Sequence, residues 1–161
     1  MYAKFPGAPL SSIPALLLLC LALTTNAHAE DASARAFRRF GLEGVWSPDC
    51  RLPPSEDNPR VVWRLPDNGP VFHGVTFDGT TWALIDTVAD AVILQENLIR
   101  YSAVRNGEVV LTATIERVGE RIRTTTSIGA NGEIYYADGR EAITGKLSMS
   151  DQRCDVPVPI S

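Results

Sequence analysis

The chain has 161 residues, with 19 acidic and 15 basic side chains and a formal net charge of −4. This acidic balance argues against nucleic acid or an anionic lipid surface as the partner, because both attract proteins through clustered positive charge. Hydrophobic residues make up 45% of the chain, which is enough for one modest domain with its own core.

The first 29 residues have the pattern of a cleaved secretory signal of the Sec type. Lys4 precedes an apolar stretch at residues 13–23, and the small residues Ala27 and Ala29 suit signal peptidase. At ~1.5 Å per residue the stretch covers roughly half of a ~30 Å hydrocarbon core, so no stable membrane anchor is expected. The pattern predicts cleavage after Ala29 and a periplasmic or secreted protein. Lipid modification of Cys20 is the alternative, and it would anchor a chain that starts at that residue.

Three segments follow the signal. Residues 30–40, EDASARAFRRF, predict a lead-in that is either a short helix or disordered, with Asp31 or Ser33 as the helix cap. Residues 41–155 are the predicted β-domain, and residues 156–161 are a Pro-rich tail. This tail cannot be an inner strand, because proline lacks the backbone N–H that a sheet requires.

Short β-rich runs fill the predicted domain. The clearest alternation places Val109, Leu111 and Ala113 on one face of a strand. After a first strand at residues 44–46, the runs are Val61–Leu65, Val71–Phe77, Thr81–Thr87, Leu98–Arg105, Val109–Val118, Arg121–Ile128, Glu133–Ala137 and Ala142–Leu147. Residues 87–96 are ambiguous between a helical turn or two and a bulged strand.

Dipeptides suited to tight turns separate these runs. Four of them predict type I′ hairpin turns, in which both central residues have positive φ: Asp78-Gly79, Asn106-Gly107, Asn131-Gly132 and Asp138-Gly139. Gly119-Glu120 predicts a fifth turn. About eight or nine strands joined by consecutive hairpins predict an all-β fold, a small antiparallel up-and-down β-barrel. A two-sheet β-sandwich is the alternative, although it requires longer crossovers.

Cys50 and Cys154 remain once the signal is removed. An even pair in an exported chain predicts a disulfide, here one that joins the first and last strands. Closing a loop of about 105 residues stabilises the fold by at most about 4.7 kcal/mol. Only His73 could join the two cysteines as a metal ligand, and the spacing matches no zinc pattern, so no metal site is predicted.

Gly44-Val45-Trp46 opens the first predicted strand. A Gly-x-Trp at this position resembles the lipocalins and related calycins, and also the bacterial metalloprotease inhibitors built on a similar small barrel. The resemblance implies a lipocalin-like barrel in which Trp46 plugs the closed end, with Arg140 or Arg153 stacked on it. The long Cys50–Cys154 span departs from the short disulfide of the inhibitors. The run at residues 44–50 also resembles small exported bacterial proteins.

The sequence predicts no catalytic residue and no cofactor. It contains no Gly-x-Ser-x-Gly motif, no phosphate-binding or dinucleotide glycine pattern and no haem attachment motif. His73, the sole histidine left after cleavage, lies mid-strand between Val71 and Val75, where a core histidine with a hydrogen-bonded ring is the simplest interpretation. The acids Asp86, Asp90 and Glu96 are interpreted as solvated.

Aromatic side chains on several strands are the candidate ligand contacts. In a barrel, Trp63, Trp82 and Tyr101, together with His73, would form either a solid aromatic core or a ligand cavity. Arg121 and Arg123 share one strand face, which suits either a surface paired with acids or an electropositive rim for an anionic ligand group.

These observations favour an exported, non-enzymatic binding module that accepts a small apolar or amphipathic ligand inside the barrel. The first alternative is a module that binds another exported protein, such as an inhibitor of a secreted hydrolase acting through the N-terminal segment or a loop. The second is an enzyme with an unrecognised site around His73.

Overall fold

The computed structural model describes residues 31–67 and 69–156, without the side chains of residues 82–84. The predicted signal at residues 1–29, with its cleavage site, lies outside the described residues. The predicted Pro-rich tail also lies outside them from residue 157 onwards. No helix in the part of the chain that the structure describes is long and apolar enough to cross a membrane.

The lead-in forms one helix, α1, at Ala32–Phe40. Asp31 caps its N-terminus by accepting a hydrogen bond from the Ser33 backbone N–H, and Gly41 ends it in the left-handed conformation. Its buried residues recur at helical spacing, and they are Ser33, Ala34, Phe37 and Phe40. This face packs against the strand at residues 82–95, where Ser33 Oγ accepts a hydrogen bond from the Ala91 N–H.

The strands are β1 Gly44–Ser47, β2 Arg60–Arg64, β3 Val71–Thr76, β4 Trp82–Gln95, β5 Leu98–Arg105, β6 Glu108–Val118, β7 Arg121–Gly129, β8 Ile134–Ala137, β9 Arg140–Glu141 and β10 Ser150–Cys154. Strands β1 to β7 pair antiparallel in chain order, and β10 pairs with both β7 and β1. The result is a closed eight-stranded barrel with β8 and β9 as an extension from β7. The predicted all-β antiparallel barrel is therefore confirmed, and the sandwich alternative is wrong.

The strand that closes the barrel is not the predicted one. Residues 142–144 form a turn, Gly145 follows with φ 69°, and Leu147 makes only an isolated bridge with Arg140; the last strand lies instead at Ser150–Cys154. Four of its five residues are Ser, Asp, Gln and Arg, so it has no apolar alternation to reveal it. The ambiguous residues 87–96 belong to β4, which is bulged between Ala89 and Val92 where Asp90 has a φ of 51°.

Two of the four predicted I′ turns have the expected backbone. Both residues have positive φ in Asn106-Gly107 and in Asp138-Gly139. At Asp78-Gly79 and Asn131-Gly132 only the glycine does, because the preceding side chain organises a different turn. The Asp78 carboxylate, for example, accepts hydrogen bonds from the backbone N–H groups of Thr80 and Thr81.

Cys50 and Cys154 form a disulfide, with their Cα atoms 5.4 Å apart. It ties the loop after β1 to the end of β10, as predicted. Asn58 orders the Pro-rich part of that loop: its Oδ1 accepts from Ser47 Oγ, and its Nδ2 donates to the backbone carbonyl of Asp49.

One end of the barrel is covered by α1 and is called the closed end below. Trp46 is buried there and donates its indole N–H to the Leu42 carbonyl at 2.8 Å. The guanidinium of Arg117, from β6, lies 5.9 Å from the Trp46 ring and 5.1 Å from the Phe40 ring. It also donates to the carbonyls of Phe40 and Gly41.

The arginine stacked on Trp46 is therefore Arg117, and the prediction of Arg140 or Arg153 is wrong. Arg153 pairs with Trp46 across β1 and β10, but its guanidinium lies over Gly44, where an added Cβ would be 3.0 Å from Arg153 Nε. Arg140 is in the β8–β9 extension and donates to the Gly145 carbonyl. Arg117 reaches the ring because β6 ends at the closed end, beside the last turn of α1.

Candidate functional site

The inner face of the barrel carries both the core and the candidate site. Trp63 pairs with His73 across β2 and β3, and His73 pairs with Asp86 across β3 and β4. Directly paired residues share a face of the sheet, so these three side chains line the interior. The helix contributes Phe37 from the closed end.

Four rings pack together in this interior, and we call Phe37, Trp63, His73 and Tyr101 the aromatic cluster. Trp63 and His73 stack with their centroids 5.4 Å apart and their planes 27° apart. Phe37 meets Tyr101 edge-on at 5.4 Å and lies 6.5 Å from Trp63. Tyr101 in turn meets His73 at 6.3 Å. The closed-end half of the barrel is thus filled by side chains.

Two polar atoms in the aromatic cluster are buried without a hydrogen-bond partner among the residues that the structure describes. They are Trp63 Nε1, which can only donate, and His73 Nδ1. Leaving a buried polar group unpaired costs about 1–3 kcal/mol, and native proteins keep few such groups. Both atoms belong to the stacked ring pair, so the two missing hydrogen bonds lie at one place in the barrel.

The environment holds the His73 ring neutral. Burial lowers the pKa of His73 to about 4, and the charge of Arg105 acts in the same direction while that of Asp86 opposes it. Burial also raises the pKa of Tyr101, with the Asp86 charge adding to the effect. At neutral pH the cluster therefore presents an uncharged imidazole, which has one donor and one acceptor nitrogen, and an intact phenol.

An ion pair separates the aromatic cluster from the end of the barrel opposite α1, which we call the far end. Arg105 Nε and Nη2 donate to the two carboxylate oxygens of Asp86, at 2.8 and 3.2 Å. The Asp86 side chain is 5% exposed, whereas that of Arg105, next to the 106–107 turn, is 43% exposed. The negative charge of Asp86 is thus balanced within the chain.

A second carboxylate on the inner face forms no ion pair with any residue that the structure describes. Asp151 on β10 pairs with Ile122, a core residue that is 2% exposed, so its side chain also lines the interior. Its Oδ1 is buried without a hydrogen-bond partner in the described part of the chain. Burial raises the pKa of Asp151 to about 6, although the charge of Arg121 opposes that rise.

The structure brings together three of the predicted ligand contacts, Trp63, His73 and Tyr101. Trp82 lies on β4 opposite Thr76, and its side chain lies outside the described residues.

The two predicted rim arginines do not join them. Arg121 and Arg123 flank the buried Ile122 and point outwards. Arg123 forms an ion pair with Glu116 at 2.6 Å, and Arg121 donates to the Ser150 carbonyl. Arg123 thus has an acidic partner, as the surface interpretation expects, whereas the partners of Arg121 are a carbonyl and the amide oxygen of Gln152.

Sequence reasoning missed three contributors to the site. Phe37 could have been found from the apolar spacing of the lead-in, had that segment been taken as a packed helix. The pairing of Asp86 with Arg105 depends on the register between β4 and β5, and the interpretation of Asp86 as solvated is wrong, because this side chain is buried in the barrel. Asp151 had no signal, because its strand was not recognised.

Among the described residues, no group of three or more His, Cys, Asp or Glu side chains could hold a metal ion. Comparisons of the chain with protein-family models, with curated proteins and with solved structures give no match.

Proposed function

We propose that the protein is an exported, non-enzymatic binding module that holds a small amphipathic ligand in its barrel. One observation supports this proposal above all. In the described part of the chain, the buried side-chain polar atoms without a partner are Trp63 Nε1, His73 Nδ1 and Asp151 Oδ1, and all three residues line the barrel.

The position of these atoms favours a ligand in the barrel over a surface function. Unpaired buried polar groups persist where something outside the chain, a ligand or an ordered water, completes them. A ligand that completes them needs polar atoms to match, and an apolar body to lie against aromatic rings. An amphipathic molecule has both.

The ligand enters from the far end, because α1 fills the closed end. His73 is the most exposed member of the aromatic cluster, at 9% against 4% or less for the three other rings. The Asp86–Arg105 pair lies on the way to it, with the guanidinium partly in solvent. We infer that His73 is the first member of the cluster that a ligand meets, with Trp63 stacked beneath it.

Export is part of the proposal. Cleavage after Ala29 would retain Asp31, which caps α1, and so would leave the helix that covers the closed end intact. The Cys50–Cys154 disulfide suits an oxidising compartment such as the periplasm or the extracellular space. Mass spectrometry of the exported protein is expected to give a chain that starts at Glu30 and contains the disulfide. A chain that retains residues 1–29 would contradict export by cleavage.

We also propose that the protein is related to the lipocalins. It is supported by Gly44-Val45-Trp46 on the first strand, by the stacking of Arg117 on Trp46, and by a closed eight-stranded antiparallel barrel. Fold likeness alone identifies no ligand, so the binding site itself has to be tested.

Native mass spectrometry of protein purified from its own host tests the function. A small molecule is expected to remain bound to the wild-type chain and to be depleted in Trp63→Phe, which keeps an aromatic ring but removes the indole N–H. Phe77→Leu is the matched control, since Phe77 is an exposed aromatic residue, and it is expected to retain the molecule. A wild-type chain without bound molecule, together with unchanged tryptophan fluorescence on adding host extract, would refute the proposal.

A further inference from the structure

The unpaired polar atoms of the aromatic cluster are an indole N–H and one nitrogen of an imidazole. Trp63 Nε1 can only donate a hydrogen bond, and its side chain belongs to a residue that is 3% exposed. His73 Nδ1 belongs to a residue that is 9% exposed. Neither atom has a hydrogen-bond partner in the described ranges 31–67 and 69–156. A group that completes this pair must accept from the indole and also match the imidazole nitrogen.

The spacing of the two rings matches the span of one small polar group. Trp63 and His73 pair directly across β2 and β3, and their rings stack with centroids 5.4 Å apart and planes 27° apart. An oxygen that makes two hydrogen bonds of ~2.9 Å at a tetrahedral angle spans about 5 Å between its two partners. A single oxygen atom between the two rings is therefore a suitable partner for both nitrogens.

The His73 ring is neutral, and its Nδ1 is an acceptor. Burial lowers the pKa of His73 to about 4, so at neutral pH the ring has a proton on one of its two nitrogens. The contacts of the ring determine which nitrogen that is, and Nδ1 has no acceptor among the residues that the structure describes. The proton is therefore assigned to Nε2, its commoner site in a free histidine side chain. The pair then consists of one donor, on Trp63, and one acceptor, on His73.

This donor and acceptor together discriminate between the polar groups of a ligand. An ammonium group only donates, so it leaves the Trp63 indole unpaired, and a carboxylate only accepts, so it leaves His73 Nδ1 unpaired. A carbonyl or ether oxygen also only accepts. A hydroxyl group has one donor and two acceptor lone pairs, so it completes both atoms through one oxygen.

The charges around the pair also favour a neutral ligand. Asp86, which pairs with His73 across β3 and β4, is balanced by Arg105, whose Nε lies 2.8 Å from its carboxylate. A charged ligand group at the ring pair would lose its water without gaining an opposite charge that is not already engaged, and this is strongly unfavourable. The neighbouring rings of Phe37 and Tyr101 offer apolar surface instead.

We propose that the ligand of the barrel is a neutral molecule with a hydroxyl group, which accepts from Trp63 Nε1 and donates to His73 Nδ1. The inference rests on the proposed function and specifies its ligand class. The hydroxyl end enters first, because both of its partners are buried. The apolar body of the ligand then lies between the ring pair and the far end of the barrel.

Four small probes test the inference: hexanol, its isomer methyl pentyl ether, hexylamine and hexanoate. Their binding to the disulfide-bonded chain is measured by tryptophan fluorescence and calorimetry at about pH 7, where the amine and the acid are charged. We expect hexanol to bind about fivefold to tenfold more tightly than the ether, because the ether cannot donate to His73 Nδ1. The two charged probes are expected to bind most weakly.

Nitrogen NMR of the His73 side chain gives a second readout. His73 is the sole histidine after residue 29, so the spectrum of the chain that starts at Glu30 contains one imidazole. Hexanol is expected to shift the Nδ1 resonance in the direction of a newly accepted hydrogen bond, and the ether is expected to leave it unchanged.

Two variants separate the roles of the two atoms. In His73→Phe, which keeps an aromatic ring but removes the acceptor, the preference for hexanol over the ether should fall below about twofold. In Trp63→Phe both probes should bind more weakly by the same factor, because both accept from the indole N–H. Phe77→Leu, at an exposed aromatic side chain, is the control and should keep both affinities. Urea unfolding shows that each variant is folded before its binding is measured.

The outcomes distinguish this inference from the proposed function. Equal binding of hexanol and methyl pentyl ether to the wild-type chain would overturn the inference and leave the proposed function standing. Tighter binding of hexylamine or hexanoate than of hexanol would overturn the neutral ligand class in the same way. A preference for hexanol that survives His73→Phe would overturn the role of His73. If none of the four probes binds, both proposals are overturned.

Discussion

Replacing Asp151 with Asn is expected to stabilise the free protein at neutral pH. The folded chain holds the pKa of this carboxyl group at about 6, above the ordinary value of 3.8, chiefly because of burial. Between these two pH values the unfolded chain has already lost the proton while the folded chain keeps it. The full free energy of unfolding is therefore available below about pH 4, where Asp151 is protonated in both states. Part of it is lost as the pH rises to 6.

The magnitude follows from the raised pKa. One pKa unit corresponds to about 1.4 kcal/mol, so a rise from 3.8 to about 6 corresponds to roughly 3 kcal/mol of stability lost above pH 6. Partial contact of the side chain with solvent reduces this figure, and the amide that the substitution introduces would leave a weaker unpaired polar group in its place. We therefore expect Asp151→Asn to gain about 1–2 kcal/mol at pH 8 and little or nothing at pH 4.

Urea unfolding of both proteins from pH 4 to pH 8 measures the effect. The variant is compared with the wild-type chain at each pH, because the difference cancels the titration of all other groups. A variant that is less stable than the wild-type chain at pH 8, or a difference that does not change between pH 4 and pH 8, would refute the reasoning about this carboxyl group.

Other predictions follow from the interior and the closed end. The pKa of His73, about 4 in the folded chain against 6.5 unfolded, implies stability that is lost as the pH falls from about 6.5 to 4. In His73→Phe, the decrease in the free energy of unfolding between pH 6.5 and pH 4 should be smaller by roughly 2–3 kcal/mol, as measured by urea unfolding. The same decrease in the variant and the wild-type chain would contradict this prediction. Arg117→Met should cost about 2 kcal/mol and speed amide exchange across α1, since it removes the contacts with Phe40 and Trp46, whereas Arg140→Met, at an exposed site, should do neither. Reducing the Cys50–Cys154 bond should lower the free energy of unfolding by about 2–5 kcal/mol in urea, and equal stability of the reduced and oxidised chains would show that the bond has no such effect.

The agreement between prediction and structure is best where the determinant is local. The β-rich runs, separated by Asn-Gly or Asp-Gly turn signals, predict seven of the barrel strands or segments that overlap them, from Gly44–Ser47 to Arg121–Gly129. The dipeptide alone does not determine the turn type, because the Asp78 side chain reorganises the backbone by accepting hydrogen bonds from residues two and three positions ahead. The candidate rings Trp63, His73 and Tyr101 were found because inner-face strand positions alternate predictably.

The sequence by itself determined an all-β chain of consecutive hairpins, a lone cysteine pair in the predicted domain, and an absence of motifs for nucleophile or cofactor chemistry. The periodicity and the turn residues depend on interactions between neighbouring positions, so they can be recognised without knowledge of the fold. Only the tertiary structure decided that polar Ser150–Cys154 closes the barrel, that Arg117 rather than Arg153 stacks on Trp46, and that Asp151 faces inwards. These features depend on pairing between residues distant in sequence, where register and closure, rather than local propensity, determine which side chains meet.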